Sequence, residues 1–235
     1  MSKNNPILQV KDLTVSFNAF AGKVQAVRGV SFDLNKGETL CIVGESGSGK
    51  SVTNKAIMGI LSKNAVIDRG EILYDGMDLT KLTEEQFCQI RGKRIAMVFQ
   101  DPLSALNPIM KVGKQITETL CVHQKLSHEQ AKKRALELMA AVGIPEPEKR
   151  FNQYPFQFSG GMRQRIVIVI ALACNPEILI CDEPTTALDV TIQSKILDLI
   201  KEIKQERNLS VYLSRIIWAW WQTWRTEYAL CMPVK

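Results

Sequence analysis

The stretch "GETLCIVGESGSGKSVTNKAIMGIL" constrains this chain more than any other. A short apolar run, Thr39 to Val43, has the length and composition of a buried strand. The chain then passes through glycines, and the spacing of Ala56, Ile57, Ile60 and Leu61 predicts a helix that includes all four. Between them Gly44, Gly49, Lys50 and Ser51 fit G-x-x-x-x-G-K-[ST], the phosphate-loop pattern, in the strand-loop-helix setting that pattern needs. Glycines let backbone N–H groups turn inward onto phosphate oxygens, and the helix N-terminus adds the positive end of its dipole. In that chemistry Lys50 reaches the β and γ phosphates of a nucleotide, and the Ser51 hydroxyl ligates Mg²⁺. The candidate phosphate-binding residues run without a break: Gly44, Glu45, Ser46, Gly47, Ser48, Gly49, Lys50, Ser51 and Val52. A merely flexible glycine turn is the bland alternative, and the flanking strand and helix argue against it.

A phosphate loop needs a second, acidic element, and "EILICDEP" has the right form. An apolar strand, Ile178 to Cys181, delivers Asp182 and Glu183 at its C-terminal end, where parallel sheets bind ligands. Asp182 would hold Mg²⁺ through water, and Glu183 would orient or deprotonate an attacking water. Acidic residues after a strand are often only a turn or a helix cap, so it is the pairing with Lys50 that points to nucleotide hydrolysis.

Elsewhere the chain alternates strand and helix patterns. Ser127 and Gln130 have capping-box spacing ahead of a helix carrying Ala131, Leu136, Leu138 and Met139, which Gly143 and Pro145 can end. Ile192, Ile196, Leu199, Ile200 and Ile203 form one helical stripe. "RIVIVIALACNP" reads as either strand or buried helix, because its β-branched content favours one and its length the other. At 46% hydrophobic and 23% charged, the composition is that of a folded domain, large enough for one α/β unit or two small ones. The formal charge of +6 is scattered among acidic residues, which reads as a solvated surface rather than a nucleic-acid face. Six cysteines without a C-x-x-C pair read as reduced, mostly buried thiols of a cytosolic protein. The N-terminus lacks an apolar signal core, and no run of about 18 apolar residues is present, so a membrane role must come through a partner.

"FSGGMRQR" makes the reading specific. Ser159, Gly160, Gly161, Met162 and Gln164 resemble the signature motif of ABC transporter ATPases, Gln100 in "MVFQDPLSALNP" resembles their Q-loop, and Thr186-Ala187-Leu188-Asp189 their D-loop. "FQDPLSALNP", "YPFQFSGGMRQR" and "DEPTTALDVTIQ" are similar, more narrowly, to the ATP-binding subunits of bacterial oligopeptide and dipeptide importers, with Phe156 where that subfamily usually carries histidine. The resemblance implies an α/β fold of the P-loop NTPase class: a mainly parallel sheet core, antiparallel N-terminal strands and a helical subdomain near residues 110–172. It makes the ambiguous segment a helix. It also implies ATP and Mg²⁺ as ligands, with Ser51, Gln100 and Asp182 around the metal, Glu183, Gln100 and Lys50 as catalytic groups, Phe17 as a platform for adenine, and Asp189 in the D-loop. Ser159, Gly160 and Gly161 would act in trans on a nucleotide held by a second ATPase subunit. The further partners implied are membrane-embedded permease subunits and, indirectly, an extracytoplasmic peptide-binding protein, which places the chain at the cytoplasmic face of the membrane with no nucleic acid involved. Nickel import is the second reading, because the ATPase subunit does not touch cargo.

The family places a histidine after the acidic strand, in a pattern like T-H-D-L-G-V-V, but the only histidines here, His123 and His128, precede Asp182 and read as solvated helix residues. In its place stands "WAWWQTWRTEY", which holds all four tryptophans. Joining the third base of each codon to the first two of the next turns Trp218-Ala219 into Gly, Trp220-Trp221 into Val and Trp221-Gln222 into Ala, while Arg215-Ile216 permits His. The tail is thus compatible with T-H-N-L-G-V-V-A-D-V-A-D-R read out of phase. We expect an ATPase domain over residues 1–211 and a frameshifted tail over 212–235, with hydrolysis impaired by the missing histidine; a tryptophan-rich membrane-surface segment is the competing reading, and a non-functional gene remnant is compatible with the same features.

Overall fold

The computed structural model describes residues 6–20, 22–185, 188–215 and 228–231. In chain order the strands and helices are β1 (Leu8–Ala19), β2 (Gly22–Leu34), β3 (Thr39–Val43), α1 (Lys50–Ile57), β4 (Ala65–Tyr74), β5 (Met77–Asp78), α2 (Glu84–Ile90) and β6 (Ile95–Val98). They continue as α3 (Pro102–Ala105), α4 (Val112–Gln124), α5 (His128–Ala141), α6 (Pro147–Arg150), α7 (Gly160–Leu172), β7 (Ile178–Asp182), α8 (Val190–Arg207), β8 (Ser210–Arg215) and β9 (Tyr228–Cys231). The chain divides into two compact units, one running up to Arg91 and resuming at Asn208, the other from Gly92 to Arg207. This is a mixed α/β fold with parallel and antiparallel strands, as the sequence predicts.

The first unit carries an antiparallel sheet in the order β2-β1-β4-β5 and a parallel group in which β3 lies between β8 and β9. All five residues of β3 are buried, which accounts for its unbroken apolar run, since a parallel strand covered on both faces has no polar side to show. β8 aligns Val211 with Thr39 and Arg215 with Val43, while β9 aligns Tyr228 with Leu40 and Cys231 with Val43. The ring of Tyr212, fully buried on β8, lies 5.3 Å from that of Phe32 on β2. The tail thus contributes a strand at 228–231; its tryptophans, Trp218 to Trp224, fall outside the described residues.

Helix α1 stops earlier than the apolar spacing predicts. Its last residue is Ile57, and Ile60 and Leu61 lie beyond it. Gly59 adopts φ +63°, its N–H bonding the carbonyl of Ala56 while the Ile60 N–H reaches back to Lys55, the paired bonds of a Schellman ending. Arg91 closes the same end, donating from Nε to the Met58 carbonyl at 2.8 Å and from Nη2 to that of Gly59 at 2.9 Å, with its guanidinium 4.6 Å from the Phe87 ring. Periodicity cannot register such a stop, because the residues after it remain apolar.

In the second unit β6 and β7 pair in parallel, Ile95 against Ile178 through Val98 against Cys181. Helix α5 has both bonds of the Ser127/Gln130 capping box and ends on Gly143 at φ +72°, as its sequence predicts. The ambiguous "RIVIVIALACNP" is helical as far as Leu172: α7 buries Ile166, Val167, Ile168 and Val169, four consecutive positions that cover more than one face, and Leu172 beyond them. A helix covered all round loses its periodic stripe, and tertiary packing overrides the β-propensity of its residues. The thiols are less buried than expected: Cys41 and Cys181 are sealed, Cys121 and Cys174 partly covered and Cys88 exposed. Among the described residues no helix is long and apolar enough to cross a membrane.

A Cβ on Gly59 would sit 2.4 Å from the Phe87 ring in a backbone region that L residues rarely adopt. Gly59→Ala is therefore expected to destabilise the fold by about 2–4 kcal/mol, seen as a drop of several degrees in a circular dichroism melt.

Candidate functional site

The phosphate loop leaves the buried end of β3 and enters α1 through Gly49, which caps the helix at φ 93°. Gly47 also has positive φ, 84°. For Gly49 space is as restrictive as conformation: an added Cβ would lie 2.5 Å from the Ala26 carbonyl oxygen and 3.2 Å from Val27 Cγ2, both on β2. Strand β2 thus presses on the loop, a contact between segments far apart in sequence that no local pattern announces. Gly44 and Ser48 are buried, Glu45, Ser46 and Gly47 are exposed, and Ser51 and Val52 are half-buried at the first turn of α1.

Lys50 is 3% exposed. Its ammonium donates to the carbonyl of Gly44 at 2.7 Å, that of Glu45 at 2.8 Å and Ser48 Oγ at 3.5 Å. An ammonium taken from water requires such charge-assisted bonds, and these bend the loop round the Nζ atom. The oxygens of a bound phosphate offer the same acceptor chemistry. Helix α1 is fixed from behind by Asn54, whose Nδ2 donates to Ser214 Oγ of β8 at 3.3 Å, both residues fully buried. Thr53 Oγ1 also donates to the Gly49 carbonyl at 3.1 Å. Phe17 lies on β1 opposite Val24 of β2 and Ala65 of β4, half-buried rather than sealed in the core.

In the second unit the parallel register does the positioning. Val98 pairs with Cys181, so Phe99 and Gln100, which follow β6, leave the sheet beside Asp182, the last residue of β7, and Glu183, which follows it. Gln100 Nε2 donates to Glu183 Oε2 at 3.2 Å. Asp182 and Glu183 are 4% and 6% exposed, so both carboxylates have little water around them. Glu183 adopts φ +46°, uncommon for a residue with a side chain, immediately before Pro184. Full burial and the Asp182 carboxylate push the Cys181 thiol up to about 12, which keeps it neutral. Within the second unit Gln100 and Asp182 offer amide and carboxylate oxygens, and within the first Ser51 offers a hydroxyl; each taken by itself is a hard donor of the kind that suits Mg²⁺.

The signature residues open α7. Ser159 is the N-cap, its Oγ accepting from the Met162 N–H at 3.4 Å. A Cβ on Gly161 would stand 2.7 Å from Ile192 Cγ2 of α8, so glycine permits this approach. Gly160, Gly161 and Met162 are half-buried, while Gln164 is 1% exposed and neither its Nε2 nor its Oε1 has a partner among the described residues. Asp189 is exposed ahead of α8; Thr186 and Ala187 of the D-loop stretch lie outside the described residues. His128 is exposed, as expected, but His123 is half-buried near Gly92, and burial followed by the charge of Lys93 holds its imidazole below the usual range.

Comparison with known proteins matches residues 27–186 to the family described as ABC transporter. The chain is 60% identical over 206 residues to the oligopeptide transport ATP-binding protein OppD of Bacillus subtilis, covering 87% of this chain and 58% of that protein. It is 58% identical over 206 residues to the dipeptide transport ATP-binding protein DppD of Lactococcus lactis, covering 87% of this chain and 59% of that one. It thus spans somewhat under three-fifths of these relatives' length. Among solved structures, a post-hydrolysis dimer of the ATP-binding cassette MJ0796 bound to ADP and Pi is similar at 30% identity and a TM-score of 0.78, covering 88% of this chain and 87% of that one. A dimeric structure of the same bacterial ABC transporter cassette reaches a TM-score of 0.84 at 28% identity, covering 96% and 94%.

Gly47 and Gly49 separate conformation from space, since a Cβ on Gly47 meets nothing within 4 Å. Both alanine variants carry the cost of positive φ, about 1 kcal/mol, but Gly49→Ala should lose about 1–3 kcal/mol more through its collision with β2. Paired chemical denaturation curves check the difference, and equal midpoints would remove β2 as the loop's support.

Proposed function

This chain belongs to the ABC transporter family, and from that premise we propose that it binds and hydrolyses ATP as the nucleotide-binding subunit of a bacterial importer of oligopeptides or dipeptides. The observation that carries the reading is the buried Lys50 ammonium, held by the carbonyls of a positive-φ glycine loop between a buried strand and a helix. Residues 1 to about 211 form the ATPase domain on this reading, with the helical portion near 110–172.

In the first unit, Lys50 and the loop N–H groups bind the β and γ phosphates, and Phe17 supports the adenine ring. Ser51, Asp182 and Gln100 would hold Mg²⁺, which when bound neutralises phosphate charge. In the second unit Glu183 accepts a proton from the attacking water or orients it, and Gln100 holds the Glu183 carboxylate in place through its amide. Ser159, Gly160, Gly161, Met162 and Gln164 form the signature that serves the nucleotide of a second ATPase subunit, identical or related, with Gln164 the one of them that is sealed from solvent, and Asp189 belongs to the D-loop. The dimeric MJ0796 structures support a paired arrangement. The peptide-transport relatives support a place in a transport system; on our reading its other parts are membrane-embedded permease subunits and, indirectly, an extracytoplasmic peptide-binding protein, with this chain on the cytoplasmic side of the membrane.

Lys50→Ala is expected to abolish binding of a fluorescent ATP analogue, because the loop then lacks its one cation for phosphate. Unchanged affinity would refute the phosphate-loop assignment.

With no histidine after Asp182, we expect slow turnover. Loss of one preorganised donor to the transition state costs on the order of 10² to 10³ in rate. Restoring the reading frame near Val211 should raise steady-state ATP hydrolysis by about that factor, with circular dichroism melts of both proteins to separate chemistry from folding. Equal rates in two folded proteins would refute both the frameshift's importance and the role given to the histidine.

A further inference from the structure

The second unit carries a cleft that the nucleotide reading does not use. It is an open space of about 420 Å³ floored by Phe151 and walled by Lys111 and Lys114 at the start of α4 and by His128 and Lys132 at the start of α5. Glu129 is the one carboxylate lining it, against three ammonium groups and an imidazole. All three lysines are exposed, and none of them forms an ion pair among the described residues, although such pairs occur within one turn at Arg134–Glu137 and Lys149–Glu146.

The cleft is built rather than incidental. Gly113 of α4 is pressed so closely on the Phe151 ring that a Cβ there would lie 2.3 Å from it, and Lys132 stands 5.9 Å from the ring centroid. The Gly113 N–H donates to the Phe151 carbonyl and the Val112 N–H to that of Gln153, which fixes the start of α4 against the floor. The ring is thereby covered by glycine backbone on one side and approached by a lysine, so its edge and the lysine stems form an apolar floor beneath a cationic rim.

We propose that this cleft docks an acidic amphipathic helix of a partner protein. The spacing supports that occupant. Lys111 caps α4 and Lys114 lies in its first turn, three residues on, while His128 and Lys132 are four apart on α5, about one turn or roughly 5 Å along that helix. Glutamates at three- and four-residue spacing on a helix present carboxylates at the same interval, and an apolar residue between them meets the floor. A small inorganic anion would leave the apolar floor exposed. The inference rests on the second unit alone, independent of what the phosphate loop binds.

The test is fluorescence anisotropy of the full chain with a labelled short helical peptide whose glutamates are spaced three and four residues apart around leucine. Binding should weaken with added salt and fall at least about tenfold in a Lys111→Glu/Lys114→Glu variant and in Lys132→Glu, whose exposed positions leave the melting temperature unchanged. A peptide with glutamine in place of glutamate should not bind. Equal affinity for wild type and variants, binding of the glutamine peptide, or no binding at low salt would each overturn the proposal. So would tighter binding of inorganic tripolyphosphate to a Lys50→Ala chain that is lost in the same double variant, which would assign the cleft to a small anion. Neither result alters the Lys50 reading, which is tested by the ATP analogue.

Discussion

A buried ammonium must find oxygen atoms, and Lys50 finds them in the carbonyls of the loop that precedes it. That requirement organises the first unit. The loop can turn its carbonyls toward Nζ only if glycines at 47 and 49 take positive φ, and Gly49 must be glycine a second time because β2 occupies the space a Cβ would need. Strand β3 delivers the loop and α1 receives it, with Asn54 anchoring the helix on β8 and Arg91 closing its far end. Each support is polar and buried or half-buried, where losing one partner leaves the other unsatisfied at a cost of about 1–3 kcal/mol.

The second unit solves a different problem, that of holding a carboxylate nearly dry. Parallel pairing of β6 with β7 sets Gln100 beside Glu183 by register alone, and the amide then gives the carboxylate a donor. The left-handed backbone at Glu183, followed by Pro184, is a conformation that local preference disfavours. It persists where strand register, burial and the Gln100 bond together determine the geometry. Strained backbone beside a nearly dry carboxylate fits a base whose position matters more than its local comfort, the role proposed for Glu183.

What was legible in the sequence follows from the range of the forces involved. The bounds of β3, the capping box of α5 and its glycine stop are set by neighbours a few residues away, and each was readable there. The stop of α1 at Ile57 was not, because it depends on Arg91, more than thirty residues on, and on an aromatic ring that Gly59 alone can approach. The helical state of α7 needed the family resemblance, since burial on several faces erased the period that would have identified it. Among the candidate residues, Lys50, Gln100, Asp182 and Glu183 were named from motifs, but the contacts that hold them, Ala26 against Gly49 and Asn54 with Ser214, join segments no motif spans.

The same distinction applies to Gln164. The resemblance groups it with Ser159, Gly160 and Gly161 as one letter of a signature; as a side chain it is 1% exposed and without a partner for its amide among the described residues. A helix returns a residue to nearly the same face after three or four positions, so positions 160, 161 and 164 share a side of α7 only approximately. Ile192 of α8 packs against Gly161, whereas Gly160, Gly161 and Met162 stay half-buried and Gln164 is sealed. Letters of one motif therefore meet different surroundings along α7, open in its first turn and sealed in its second, and the physical part each can play has to be read from its burial.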